Sequence, residues 1–119
     1  PDTLIGVDLI CNRQLVQSDL SESDILKRLD EKPTHLIVTP TGGQGYLLGR
    51  GNQQLSAKVL RRIGRENLHV LATKEKLFHL RGRALLVDTG DAEVDKMLSG
   101  YIRVIVDYQE EQMCRIGTE

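Results

Sequence analysis

The spacing of apolar residues changes period several times along the chain, and each change marks an element. Leu4-Ile-Gly-Val-Asp-Leu-Ile10 reads as a strand and Gln14-Leu-Val-Gln17 as its return. Cys11-Asn-Arg13 forms the turn between them, since Asn tolerates the left-handed backbone that tight turns use. Ser21 with Asp24 three residues on has the form of a capping box, and Leu20 can staple against Ile25. Ile25, Leu26 and Leu29 then make one apolar stripe, which Pro33 ends. His35-Leu-Ile-Val-Thr39 is a short strand of the buried kind.

A second helix is expected over Ala57–Ile63, capped by Ser56, closed by Gly64, and facing inward with Val59, Leu60 and Ile63. Leu68-His-Val-Leu-Ala72 is the next strand. Thr73 caps a short helix that packs Leu77, Phe78 and Leu80 inward and ends at Gly82. Arg83-Ala-Leu-Leu-Val87 is a strand, and Asp91 caps a helix burying Val94, Met97 and Leu98 up to Gly100. Tyr101–Tyr108 and Gln112–Ile116 form a closing hairpin that turns at Gln109-Glu-Glu111. Strand and helix therefore alternate from His35 to Gly100, as in β-α-β units. The expected fold is α/β: a mixed sheet built from central β-α-β units, with a hairpin at each end and helices packed on the sheet.

One stretch resists this scheme. Five of the chain's 11 glycines fall between Gly42 and Gly51. Glycine loses the most entropy on folding, so such density is kept where the backbone turns at positive φ or approaches something closely. Thr39, Thr41, Gln44, Tyr46, Arg50, Asn52, Gln53 and Gln54 are interleaved with or flank these glycines and offer hydroxyl, amide and guanidinium groups. Ordinary connections run to about 4–6 residues, and this one reads as far longer. Contact with a polyhydroxylated or phosphorylated ligand explains it better than chain reversal alone, although chain reversal stays open. The pattern is neither G-x-x-x-x-G-K-[ST] nor G-x-G-x-x-G.

Composition adds limits. A chain of 119 residues is one domain by length, and 3% aromatic content leaves its core to Leu, Ile and Val. A formal net charge of −1 provides no global field to recruit nucleic acid or an anionic membrane. No apolar run approaches the roughly 18–20 residues of a bilayer span. The chain starts with Pro rather than Met and reads as part of a longer or processed protein. Cys11 and Cys114 lack a C-x-x-C partner; lying in terminal hairpins they could meet, but reduced thiols are the favoured reading.

Thr39-Pro-Thr-Gly-Gly-Gln-Gly-Tyr46 resembles the T-P-T-G-S-T-A-Y segment in the C-terminal half of NAD kinases. The longer run continues through Lys58-Val-Leu-Arg-Arg-Ile-Gly-Arg-Glu-Asn67 to Leu86-Val-Asp-Thr-Gly-Asp91. It is more similar to the ATP-NAD kinase-like branch that includes acetoin-catabolism protein X. Gly43-Gln44-Gly45 stands in place of S-T-A, and Arg50-Gly-Asn-Gln-Gln54 in place of small residues and G-G-P.

The resemblance implies that residues 1–119 form the acceptor-side, C-terminal domain of a longer cytoplasmic two-domain phosphotransferase. ATP and a divalent metal would bind the N-terminal domain, which carries a G-G-D-G motif absent from this sequence. This chain alone would hold no cofactor, supply no catalytic residue and be inactive as a kinase. Its partners would be that N-terminal domain and NAD or another phosphoryl acceptor, with homo-oligomerisation open. Thr39, Thr41, Gln44 and Tyr46 would hydrogen-bond acceptor hydroxyls or phosphate. Gly42, Gly43 and Gly45 would present backbone N–H groups, Arg50 would pair with a phosphate, and Asn52 and Gln53 would add contacts. A non-catalytic module sensing a nucleotide or phosphorylated metabolite is the alternative.

Asp88-Thr89-Gly90 resembles the D-T-G of dimeric aspartic proteases, whose fold is nearly all strand. Asp88 and Asp91 also close or follow a strand, and so could share a crevice with the glycine stretch. Lys58, Arg61, Arg62 and Arg65 form a basic helix face, for phosphates, an acidic partner or solvent. His35, His69 and His79 lack metal-ligand spacing, so no metal site is expected. Asp107, Glu110 and Glu111 read as a solvated hairpin tip.

Overall fold

A computed structural model describes residues 9–11, 14–17, 20–40, 45–49 and 54–118. The first hairpin pairs β1 (Leu9–Cys11) with β2 (Gln14–Gln17) as a separate two-stranded sheet. Helix α1 (Glu22–Glu31) follows, and its capping box is complete: Ser21 Oγ accepts from the Asp24 amide, and Asp24 accepts from the Ser21 amide. Leu20 and Ile25 are both buried, as a hydrophobic staple requires.

The main sheet holds β3 (Leu36–Val38), β4 (Tyr46–Leu48), β5 (Leu68–Leu71), β6 (Leu85–Val87), β7 (Gly100–Asp107) and β8 (Glu110–Gly117). Between them run α2 (Ala57–Ile63), α3 (Lys74–His79) and α4 (Ala92–Leu98), capped by Ser56, Thr73 and Asp91 as their spacing predicts. The architecture is α/β with a mixed sheet, in the order β3-β5-β7-β8-β6-β4. Strands β3, β5 and β7 are mutually parallel, as are β8, β6 and β4. The two triplets meet at the antiparallel β7–β8 hairpin, so the closing hairpin forms the middle of the sheet. Each β-α-β crossover therefore encloses one further strand, and parallel neighbours are strands two apart in sequence.

This order fixes two ends. At one end lie the C-termini of β3, β5 and β7 with the starts of β4, β6 and β8. At the other lie the C-termini of β4, β6 and β8.

Side-chain alternation sorts the two faces. Val38, Val70 and Val104 stand in register across β3, β5 and β7 and are buried. Leu85 opposes Ile116, and Leu48 opposes Val87, continuing the same layer. Ile25, Val59, Leu60, Ile63, Val94 and Leu98 from α1, α2 and α4 close over it to form one core. On the opposite face Ile37, Tyr101, Ile105 and Met113 are exposed.

Two local expectations fail. Phe78 is 79% exposed, because the single-turn-and-a-half α3 buries Leu77 and Leu80, three apart, and turns Phe78 away. The last hairpin turns at Tyr108-Gln109, one residue early, with Gln109 at φ 53°.

Candidate functional site

The glycine-rich stretch is not one loop. Tyr46-Leu-Leu48 is a strand, β4, with Leu47 and Leu48 buried. It divides the stretch so that Gly45 precedes it at one end of the sheet and Gly49 follows it at the other. Apolar residues in a polar, glycine-rich context concealed this, because three residues give no period.

Thr39 lies at the end where β3, β5 and β7 finish, and of the expected site residues that are described it alone lines the cleft there. Gly45 and Tyr46 reach the same end on β4, the opposite edge strand. A cleft of about 580 Å³ opens there. Its floor is Pro40, Leu71, Ala72, Ile105 and Val106, and polar groups come from Thr39, Thr73, Lys76, Asp107, Tyr108 and Gln109. Thr39 is exposed on its wall. Tyr108 is 85% exposed at the hairpin tip and presents an aromatic ring beside an apolar floor.

Helix α3 braces this cleft on both sides. Lys76 Nζ donates to the Pro40 carbonyl at 2.7 Å. Lys74 is paired with Glu110 at the start of β8, and that hydrogen-bonded carboxylate raises its ammonium above the ordinary lysine range. The acidic residues at the tip are thus not merely solvated: Asp107 lines the cleft and Glu110 carries an ion pair. Among the described residues, Lys76 Nζ has the Pro40 carbonyl as its single partner, which leaves two of three ammonium donors.

Gly45 and Tyr46 mark the point where the chain rejoins the sheet. Gly45 sits at φ 79°, and a Cβ built there would lie 2.5 Å from Leu80 Cδ2. Its carbonyl accepts from the Leu86 amide at 2.9 Å, and Tyr46 pairs with Leu86. Thr41, Gly42, Gly43, Gln44, Arg50, Asn52 and Gln53 lie outside the described residues.

Asp88 and Asp91 do not join Thr39. They follow β6, whose C-terminus points to the opposite end, where the Asp88 amide donates to the Leu48 carbonyl at 2.8 Å. Asp88 therefore adjoins Leu48, just before Gly49. Asp91 is the α4 cap: one carboxylate oxygen accepts from the Glu93 and Val94 amides and the other from Arg61 at 2.8 Å. The Val94 and Glu93 amides and the Arg61 guanidinium hold its carboxyl below the usual range. The Thr89 hydroxyl and amide both donate to Asp95. Asp-Thr-Gly is thus part of a helix start, and four helices take the chain out of the nearly all-strand protease fold.

Of the basic residues on and just after α2, Lys58 is exposed and the three arginines have partners within the chain. Arg61 pairs with Asp91 and Glu93, Arg62 with Asp30 of α1, and Arg65 donates to the Tyr101 carbonyl. His35 Nδ1 and His69 Nε2 lie 2.9 Å apart on neighbouring strands. Among the described residues, no group of three or more His, Cys, Asp or Glu is placed to hold a metal. Cys114 is a free, half-buried thiol whose pKa burial raises. No described helix is long and apolar enough to cross a membrane.

The site and fold together define an α/β domain with a ligand-sized cleft at a sheet end, walled by the first residues of the T-P-T-G-G-Q-G-Y segment. The chain belongs to the ATP-NAD kinase C-terminal domain family, whose model matches residues 1–116. That match is to the family and not to a branch of it. A search of curated proteins gave no match, and a search of solved structures gave none.

Sequence reading missed Lys76, Tyr108, Gln109 and Asp107 as cleft residues. Lys76 follows a helix cap and Tyr108 sits in a turn, and neither carries a linear signal for what it faces.

Proposed function

We propose that this domain is the acceptor side of an ATP-NAD kinase-like phosphotransferase and that the cleft at Thr39 is its share of the acceptor pocket. One observation carries the reading: the described cleft begins at Thr39-Pro40, where the segment most like that of NAD kinases begins. The apolar floor beside Tyr108 suits a flat ring, since base–aromatic stacking tolerates any base. Thr39, Gln109 and Lys76 suit the hydroxyl and phosphate groups of NAD or a related acceptor. Thr41, Gly42, Gly43, Gln44, Gly45, Tyr46, Arg50, Asn52 and Gln53 remain the proposed further contacts.

Phosphoryl transfer depends on positioning and charge neutralisation, and the residues present fit the positioning part. ATP and its divalent metal are assigned to a nucleotide-binding partner domain, which would supply the donor phosphoryl group. What this chain does is hold the acceptor and exclude water at the cleft floor.

The test compares the complete protein with this domain. With ATP and a divalent metal, the complete protein should phosphorylate NAD and the isolated domain should not. Phosphorylation of NAD by the domain alone would overturn the division of labour. NAD binding by the complete protein without ATP-dependent turnover would replace the kinase reading with a sensing module.

A further inference from the structure

Helix α3 touches the polypeptide on both sides of residues 41–44. Lys76, in its first turn, donates to the Pro40 carbonyl at 2.7 Å, and Leu80, at its C-cap, packs against Gly45 so closely that a Cβ there would meet Leu80 Cδ2 at 2.5 Å. Both holds come from one element, and the residues they fix are Thr39-Pro40 on the cleft wall and Gly45-Tyr46 at the start of β4. The Lys74–Glu110 pair ties the same helix to the hairpin that bears Tyr108. The helix is short, and Leu77 with Leu80 at its C-cap are its buried anchors.

From this geometry we infer that Lys76 is a positioning residue: it sets the Thr39-Pro40 wall through the Pro40 carbonyl and thereby the affinity of the cleft for its ligand. A lysine suits this task. Its flexible stem lets the ammonium reach a carbonyl oxygen on a neighbouring segment, and a charge-assisted bond of this kind is stronger than a neutral one. Pro40 is buried and its ring fixes φ, so a hold on its carbonyl orients the neighbouring Thr39 as well. The link to affinity rests on the cleft being the acceptor pocket; the link to Pro40 does not.

Hydrogen–deuterium exchange on the complete protein separates the two. In Lys76→Met, the peptide spanning Leu36 to Leu48 should exchange about three- to tenfold faster, the loss expected of one hydrogen bond whose charge is partly screened by solvent. Peptides from α1 and from the β7–β8 hairpin should be unchanged, which a general loss of stability would not give. Lys76→Arg, which keeps a cationic donor, should exchange within about twofold of the parent protein. Unchanged exchange over Leu36 to Leu48 in Lys76→Met overturns the positioning role. Titration with NAD forms the second arm: Lys76→Met should bind about three- to tenfold more weakly and Lys76→Arg nearly as tightly as the parent protein. Unaltered NAD affinity in Lys76→Met refutes the effect on the cleft. If the parent protein does not bind NAD, the acceptor reading falls, and the exchange result alone decides whether Lys76 holds the wall.

Discussion

Two residues show how much a single position decides. At Gly45 the backbone is left-handed and Leu80 occupies the space of a Cβ. Gly45→Ala should therefore destabilise the domain by about 2 kcal/mol or more, from backbone strain plus the clash. The clash, but not the strain, is relieved by removing the partner, so Gly45→Ala should cost less in a Leu80→Ala background; urea titration of the double-mutant cycle reads both terms. Asp91 gives a pH-dependent counterpart. Its folded carboxyl titrates below its ordinary value, so its contribution is fully present above that value and is lost as pH falls through the folded one. Asp24, depressed first by the Ser21 amide and then by its hydroxyl, acts in the same direction. The urea midpoint should thus drop as pH falls below about 4, and less steeply in Asp91→Asn, which still caps α4 but no longer titrates. That Asp91 caps a helix was legible in its spacing; that it also meets Arg61 from α2 was not, because thirty residues separate them.

Elements were the most legible level. Caps at Ser21, Ser56, Thr73 and Asp91 are chemical statements about orphan amides, and each requires only the next three residues. Removing them has a local price: Ser21→Ala or Thr73→Ala should lower stability by about 1 kcal/mol in thermal or urea melts. Thr73→Ala should also loosen α3, and with it the braces at Pro40 and Glu110. Strand β4 escaped notice for the converse reason. Three residues between glycine clusters carry no periodicity, and β4 exists because β6 pairs with it. β4 puts Gly45 and Gly49 at opposite ends of the sheet, and β3 and β6 run in opposite directions, which is why Thr39 and Asp88, both at strand ends, cannot share a crevice.

At the scale of the molecule, one face of the sheet carries the core and the other is exposed. Leu85 is fully buried where β6 meets β8, and Leu85→Ala should cost about 2–5 kcal/mol by denaturant titration. Tyr101→Thr or Met113→Thr, on the exposed face, should shift stability by no more than about 0.5 kcal/mol in the same assay. The amino-acid sequence by itself determined the helices, their caps, the α/β class and the family likeness, because these depend on neighbours within a turn or on a contiguous motif. Tertiary structure alone decided the strand order, the end of the sheet to which each loop goes, and the meeting of Thr39, Lys76 and Tyr108 around one cleft. Strand pairing is chosen by the joint burial of residues far apart in the chain, and no local pattern contains that sum.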